Sequence, residues 1–389
     1  MEKCLIIGGQ NPKNFGSLML VENYINYSKY DRYYILTINN STDKELYRRV
    51  IKNKEIDFKD YKKNGNKITN KFKLLLGMII GRFNDDNYQK ILNDIDSIVF
   101  LGGDDLSEDY TVGGLIYQTL FIYKAKRMKK KVYIISQTIG PFKSWRKKYM
   151  NYILSDVTKI TVREPISYKY LIDLKVPRDK VKLSADLAFL PLNSTGIYEK
   201  EIDEQYVVIC PSSIVNKYAN NSNENEYLEC LVNVCRYIIE EKKLKVVLLA
   251  HVCNKTSNDY KVCENIAKEL DKIDVNNYEL IKDEFLPVDA RRIFKESEFV
   301  ITGRMHPAIS TLSVGKPVIS IAYSIKYNAI IGEYANLPEM VIDVRYNNWN
   351  EVNLKILEQI DYILINKIEM ESKIKKVSNY MIEQAKLNF

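Results

Sequence analysis

Arg304 and His306 stand two residues apart inside Glu298–Lys326, EFVITGRMHPAISTLSVGKPVISIAYSIK. A guanidinium is a planar fork suited to carboxylate or phosphate, and an imidazole can take up or release a proton near neutral pH. Together they suit the binding of a small anion and the movement of a proton on it. The flanking residues say how such a pair would be held. Phe299-Val300-Ile301 reads as a short buried parallel strand ended by Thr302-Gly303. Pro307 is expected to open a helix that turns Ala308, Ile309 and Leu312 inward and stops at Gly315. Pro317 and the strand Val318–Ile321 follow. The pair therefore lies between a strand's carboxyl end and a helix's amino end, the edge of an open α/β sheet where ligands bind.

The chain has only two histidines among 389 residues. The other, His251, follows the apolar run Val246–Ala250 and also falls at a strand's carboxyl end. It is a second candidate for the same edge.

A chain of this length exceeds what one compact core organises, so two domains are expected. A formal net charge of +8 favours anionic partners such as phosphorylated substrates or acidic lipid headgroups. Nucleic acid is not expected as a partner, because no zinc-finger spacing, RNA-recognition signature or long basic arm is present. Six cysteines occur without a C-x-x-C pair, and two histidines do not complete a zinc site, so neither a metal nor a cofactor is expected. Scattered cysteines, no signal peptide after Met1-Glu2-Lys3 and no apolar run of about 20 residues lead to an expected cytoplasmic location. A peripheral contact with the inner face of a membrane stays open. It rests on Leu74–Ile80, an apolar helix flanked by Lys71, Lys73 and Arg82.

The alternation of strands and helices begins at Cys4–Ile7, followed by Gly8-Gly9 and the loop Asn14-Phe15-Gly16. These glycines do not fit a dinucleotide fingerprint. Residues 40–95 resist assignment. Beyond them, strands end at Gly102-Gly103-Asp104-Asp105, at Gln137-Thr138-Ile139-Gly140-Pro141, at Arg163-Glu164 and at Ala185-Asp186. Polar strand ends in succession line one edge of a parallel sheet. Leu192–Glu204 reads as the linker. A second series runs from Val207–Cys210 to the segment containing Arg304, and a helical tail follows, with Leu354, Leu357, Ile360, Ile363 and Leu364 expected on its apolar face. The divisions are thus 1–195, 196–350 and 351–389.

Taken in order, these motifs resemble the polysaccharide pyruvyl transferase family. The resemblance covers about residues 5–345. It rests on Asn14-Phe15-Gly16, Gly102-Gly103-Asp104-Asp105-Leu106, Ser136–Pro141, Val162-Arg163-Glu164, Ala185-Asp186, Gly303-Arg304-Met305-His306, Gly315-Lys316-Pro317 and Tyr323…Lys326. It implies a GT-B-like α/β fold, two Rossmann-type domains with parallel sheets facing across a cleft, with the C-terminal helix packing back on the first. It also implies transfer of pyruvate from phosphoenolpyruvate, as co-substrate, to two hydroxyls of a sugar in a cell-surface glycan or its precursor, free or lipid-linked, giving a ketal.

On that reading Arg304 and Arg163 clamp the donor, His306 is the general acid, and Lys326 and His251 assist binding. Asn14, Gly16, Gly103, Asp104 and Gln137 would face them from the first domain. Asp105 is taken as the catalytic carboxylate, although Asp104 and Glu164 are also available as bases. Two other readings remain. A GT-B glycosyltransferase would set a nucleotide sugar's diphosphate against the same helix end. A non-catalytic binding protein of the same fold would account for Ser17 and Asp104, which replace an Asp and a third Gly found in many relatives.

Overall fold

The structure, a computed structural model, describes residues 1–9, 11–37, 41–60, 86–107, 112–220, 223–254 and 256–389. The apolar helix expected at 74–80 lies outside them. The chain divides into two compact units. The first comprises Met1–Pro12, Leu20–Leu187 and Gln384–Phe389, and the second Lys13–Met19 and Ala188–Glu383.

The first unit holds β1 (Lys3–Ile7), β2 (Arg32–Thr37), β3 (Ile56–Asp60), β4 (Ser97–Leu101), β5 (Lys131–Gln137), β6 (Lys159–Val162) and β7 (Val181–Leu183). They form one sheet in the order β3-β2-β1-β4-β5-β6-β7, parallel throughout. Every residue of β4, SIVFL, is buried, as expected of a strand covered by helices on both faces. Leu5, Phe100, Ile134 and Ile160 from four adjacent strands meet Met150, Ile153 and Leu171 from the covering helices. The helix Ser41–Val50 and β3 resolve part of the stretch that sequence patterning left unassigned.

The second unit repeats the plan with β8 (Tyr206–Cys210), β9 (Lys245–Leu248), β10 (Tyr278–Leu280), β11 (Val300–Thr302), β12 (Val318–Ala322) and β13 (Val341–Asp343). Their order is β10-β9-β8-β11-β12-β13, again parallel. Thr302 pairs with Cys210 on one side and Ser320 on the other, so β8 and β11 end level while β12 runs on to Ala322. The two parallel-sheet α/β units are those the sequence implied.

Two local expectations change. The helix after β11 begins at Met305, with Pro307 as its third residue and Gly315 just beyond its end at φ +82°. That left-handed backbone is why glycine stands there. In the tail helix Trp349–Ile365 the buried stripe is Trp349, Val352, Ile356, Ile360 and Ile363. Leu354, expected inside, is 61% exposed. The stripe's i, i+3, i+7 spacing leaves position 354 on the opposite side.

A second helix, Lys367–Lys386, brings the chain back into the first unit at Gln384. Asn388 is buried there. Its amide donates to the carbonyl of Ala185 at 2.9 Å and its oxygen accepts from the hydroxyls of Ser184 and Thr161. Phe389 stacks on Tyr24 and Tyr27 with ring centroids 5.8 and 5.7 Å away. Asn388→Ala would strip the Thr161 hydroxyl of this acceptor in a buried site and leave Ser184 with the carbonyl of Val162, a loss of about 1–3 kcal/mol. We expect a lower urea midpoint, and an unchanged midpoint would show that the anchor contributes nothing.

Candidate active site

In the second sheet the chain moves outward from β8 through β9 to β10, then returns to place β11 on β8's other side. In open α/β sheets such a reversal, at the strands' carboxyl ends, is where ligands bind. Ser212-Ser213 follows β8, and Gly303-Arg304 follows β11. Arg304 and His306 therefore sit at the switch point of this sheet.

The Arg304 side chain is 10% exposed and faces Asp259, which is fully buried. Its Nε donates to Asp259 Oδ2 at 2.9 Å and its Nη2 to Oδ1 at 2.5 Å. Nη2 also lies 2.5 Å from Ser257 Oγ and 3.4 Å from Ser213 Oγ. Asp259 accepts two further bonds, from the backbone N–H groups of Ser213 and Val252 at 2.9 and 3.1 Å. Burial works against the guanidinium charge, but Asp259 outweighs it and holds the Arg304 pKa above its usual value. The fork expected for a ligand is thus corrected in part. The Nε–Nη2 edge is committed to Asp259, and Nη1 takes no part in that set.

Asn14 and Gly16 belong with this site, not with the first unit as the divisions at 195 implied. Lys13–Met19 groups with the second unit, and Asn14 bridges Val252 while Phe15 N–H bonds the carbonyl of His251 at 3.3 Å. Gly16 N–H is held by Asn14 Oδ1 at 3.1 Å. A Cβ on Gly16 would lie 2.0 Å from His306 Nδ1. Only glycine lets this turn lie against the imidazole.

The two histidines sit in different environments. His306 is half-buried at the second position of the helix Met305–Ser313. His251 is 2% exposed, with its ring edge-on to Phe15 at 5.4 Å. Burial first, then the charges of His306, Arg304 and Arg291, push the His251 imidazole well below its usual 6.5. Lys326 is buried, its ammonium 5.6 Å from the Tyr323 ring centre. Tyr327 Oη donates to the carbonyl of Gly303 at 3.0 Å, fixing the turn that carries Arg304.

The remaining candidates lie in the first unit, at the corresponding sheet edge. Gly103 carbonyl accepts from Thr138 N–H at 2.8 Å, joining the turns after β4 and β5. Asp105 is exposed and Asp104 half-exposed, whereas Gln137 is buried with its amide 3.4 Å from the carbonyl of Phe100. Arg163 was expected as a donor clamp but is buried in this unit. Its Nη1 pairs with Asp186 at 2.8 Å and its Nε with Thr138 Oγ1 at 2.9 Å. A guanidinium so far from water needs its counter-ion inside the fold. Glu164 is the N-cap of the helix Pro165–Asp173, accepting from Ser167 N–H at 2.9 Å through Oε2.

Sequence reading missed Asp259, Ser213 and Ser257. Asp259 opens a helix, where an acid usually reads as a favourable end charge, and nothing in local spacing ties it to Arg304. Among the described residues no three His, Cys, Asp or Glu side chains converge to hold a metal ion. No described helix is long and apolar enough to cross a membrane.

A family model described as polysaccharide pyruvyl transferase matches residues 14–325. The amylovoran biosynthesis protein AmsJ of Erwinia amylovora is 24% identical over 260 residues, 63% of this chain and 61% of that protein. The chain thus spans less than two thirds of that relative's length. Among solved structures, a putative UDP-N-acetylglucosamine 2-epimerase from Listeria monocytogenes is similar with a TM-score of 0.61 at 12% identity, covering 99% of this chain and 93% of the other. The UDP-GlcNAc 2-epimerase from Neisseria meningitidis bound to UDP-GlcNAc gives 0.60 at 14% identity, covering 99% and 97%. At such identities the likeness concerns the fold alone, which is GT-B-like.

Two measurements follow from this geometry. Asp259→Ala would leave the Arg304 charge buried without its partner, costing about 3–5 kcal/mol. A thermal midpoint equal to wild type would show that the pair does not hold the loops. Because His251 binds a proton less readily folded than unfolded, its contribution is complete above pH 6.5 and is lost as pH falls below that value. The slope is up to about 1.4 kcal/mol per pH unit. Urea titrations between pH 6.5 and about 5 should show a shallower fall for His251→Gln, and equal slopes would mean that His251 is not buried neutral.

Proposed function

The chain belongs to the polysaccharide pyruvyl transferase family, and we propose that it moves pyruvate from phosphoenolpyruvate onto two hydroxyls of a sugar. The observation that carries this reading is the seating of His306 at a helix end against Gly16, beside a guanidinium held by Asp259. Phosphoenolpyruvate has a carboxylate and a phosphate on a small enol. Asp259 largely cancels the formal charge of Arg304. Anion binding is therefore shared among the first N–H groups of the helix Met305–Ser313, Lys326, His306 and the uncommitted edge of Arg304.

In the proposed reaction His306 gives a proton to the methylene carbon, and one sugar hydroxyl oxygen bonds to the neighbouring carbon as its proton leaves to a base. The second hydroxyl oxygen then bonds to that carbon as the carbon–oxygen bond to phosphate breaks, and its proton leaves with the phosphate. The products are a cyclic ketal and inorganic phosphate, with no change of oxidation state. We assign the base to Asp105, the exposed carboxylate after β4, and acceptor contacts to Asp104, Gly103 and Gln137. His251, held neutral by burial, is a poorer proton donor than His306 and supports binding. The acceptor is a glycan or its precursor, as the family suggests.

Phosphoenolpyruvate should raise the thermal midpoint, by about 2.7 kcal/mol of stabilisation at a hundredfold excess over Kd. A shift with a UDP-sugar and none with phosphoenolpyruvate would replace this reading with glycosyl transfer. His306→Gln should lower turnover about 10²–10⁴-fold while keeping the donor-induced shift within reach of wild type. Undiminished turnover would remove His306 as the acid.

A further inference from the structure

The positive charge of this protein is concentrated in one stretch. Residues 112–155 contain ten lysines and arginines and no aspartate or glutamate, leaving 48 basic against 50 acidic residues everywhere else. The stretch lies wholly in the first unit, whereas the residues assigned above to the donor belong to the second. Its two helices, Val112–Arg127 and Arg146–Leu154, are joined by a bond of 2.9 Å between the hydroxyls of Thr119 and Tyr149. Lys126 lies under the Tyr152 ring at 5.3 Å and bonds Asp156, the first acid beyond the stretch, at 2.6 Å.

The second helix buries Met150, Ile153 and Leu154 and turns a different set outward. Trp145 is 57% exposed and Tyr152 59% exposed. Lys143, Lys147 and Lys148 are exposed around them, with Arg127 exposed at the end of the first helix. Large aromatic rings left in water beside lysines are a costly surface for a protein that meets only solvent. The placement of charge is costly too. Arg146, Lys147 and Lys148 fill the first turn of their helix, where the macrodipole is positive and acids are favoured. Two local rules are broken on the same face, the pattern expected where a surface serves a ligand and not the fold.

We propose that the Trp145–Tyr152 face of the first unit docks this protein on an anionic lipid surface. Aromatic rings of this kind settle at the headgroup level of a bilayer, and lysines beside them are drawn to its negative potential. The opposed charge makes a membrane carrying acidic phospholipids the fitting occupant. This inference does not rest on the reaction proposed above.

The test is flotation of the full chain with vesicles of phosphatidylcholine alone or with added phosphatidylglycerol. Binding to the anionic vesicles, weakened by salt, is expected. Lys147→Ala/Lys148→Ala should weaken it about 30-fold. The chain has two tryptophans, and Trp349 is 4% exposed. In a Trp349→Phe background, the emission of Trp145 should shift to the blue on adding anionic vesicles. Retention of the phosphoenolpyruvate-induced thermal shift in the lysine variant, or simply of the wild-type thermal midpoint, shows that it folds. Equal vesicle binding by variant and wild type, or no blue shift, overturns the proposal. So does tighter binding to heparin or single-stranded DNA with no vesicle binding, which would assign the face to a soluble polyanion.

Discussion

The pair of Arg304 and Asp259 organises the second unit's ligand edge. One carboxylate, fully out of water, accepts two bonds from the guanidinium and one each from the backbone at Ser213 and Val252. It thereby ties together the loops after β8, β9 and β11. Two charges buried in this way do not stabilise a fold as strongly as their attraction suggests, because both had to leave water. What the pair supplies is position. With every lone pair of Asp259 engaged, the loops carrying Ser213, His251 and Arg304 have little freedom to drift apart.

That arrangement reassigns the chemistry among the neighbours. A guanidinium already paired contributes geometry more than net charge, and the same turn carries a helix amino end and a half-buried imidazole. His251 lies deeper, and burial first, then the surrounding charges, lower its pKa. His306 stands one layer out, against the Gly16 turn. Two residues of one type are thus given different roles by burial and by the charges that face them. The family to which the chain belongs uses an anionic donor in the reading proposed here, and these are groups suited to one.

The first unit uses the same device. Arg163 after β6 is buried against Asp186 after β7, with Thr138 from the turn after β5 completing the fork. Here too a guanidinium holds loop to loop at the carboxyl edge of a parallel sheet. The exposed polar groups of that edge, Asp104 and Asp105, are thereby left on a turn of defined shape. Elsewhere in this unit, the face around Trp145 gathers exposed aromatic and basic side chains.

Much of this architecture was legible in the residue order. Short runs such as SIVFL and YVVIC, broken by glycine or proline and alternating with amphipathic stretches, specify parallel strands and helices, because periodicity and turn chemistry act over a few neighbours. The same local rules set Arg304 and His306 between a strand end and a helix start. Where local rules compete, they misled: Pro307 suggested a helix start two residues late, and Leu354 fitted an apolar stripe that the tail helix does not bury. What only the tertiary structure decided is who faces whom. Asp259 stands 45 residues before Arg304, and Gly16 lies 290 residues before His306. Arg163 and Arg304 look alike as sequence, each an arginine just past a strand. Their partners come from other loops, and a buried guanidinium must have one. Sequence spacing carries no record of that demand, because desolvation is felt only once the chain has closed around the charge.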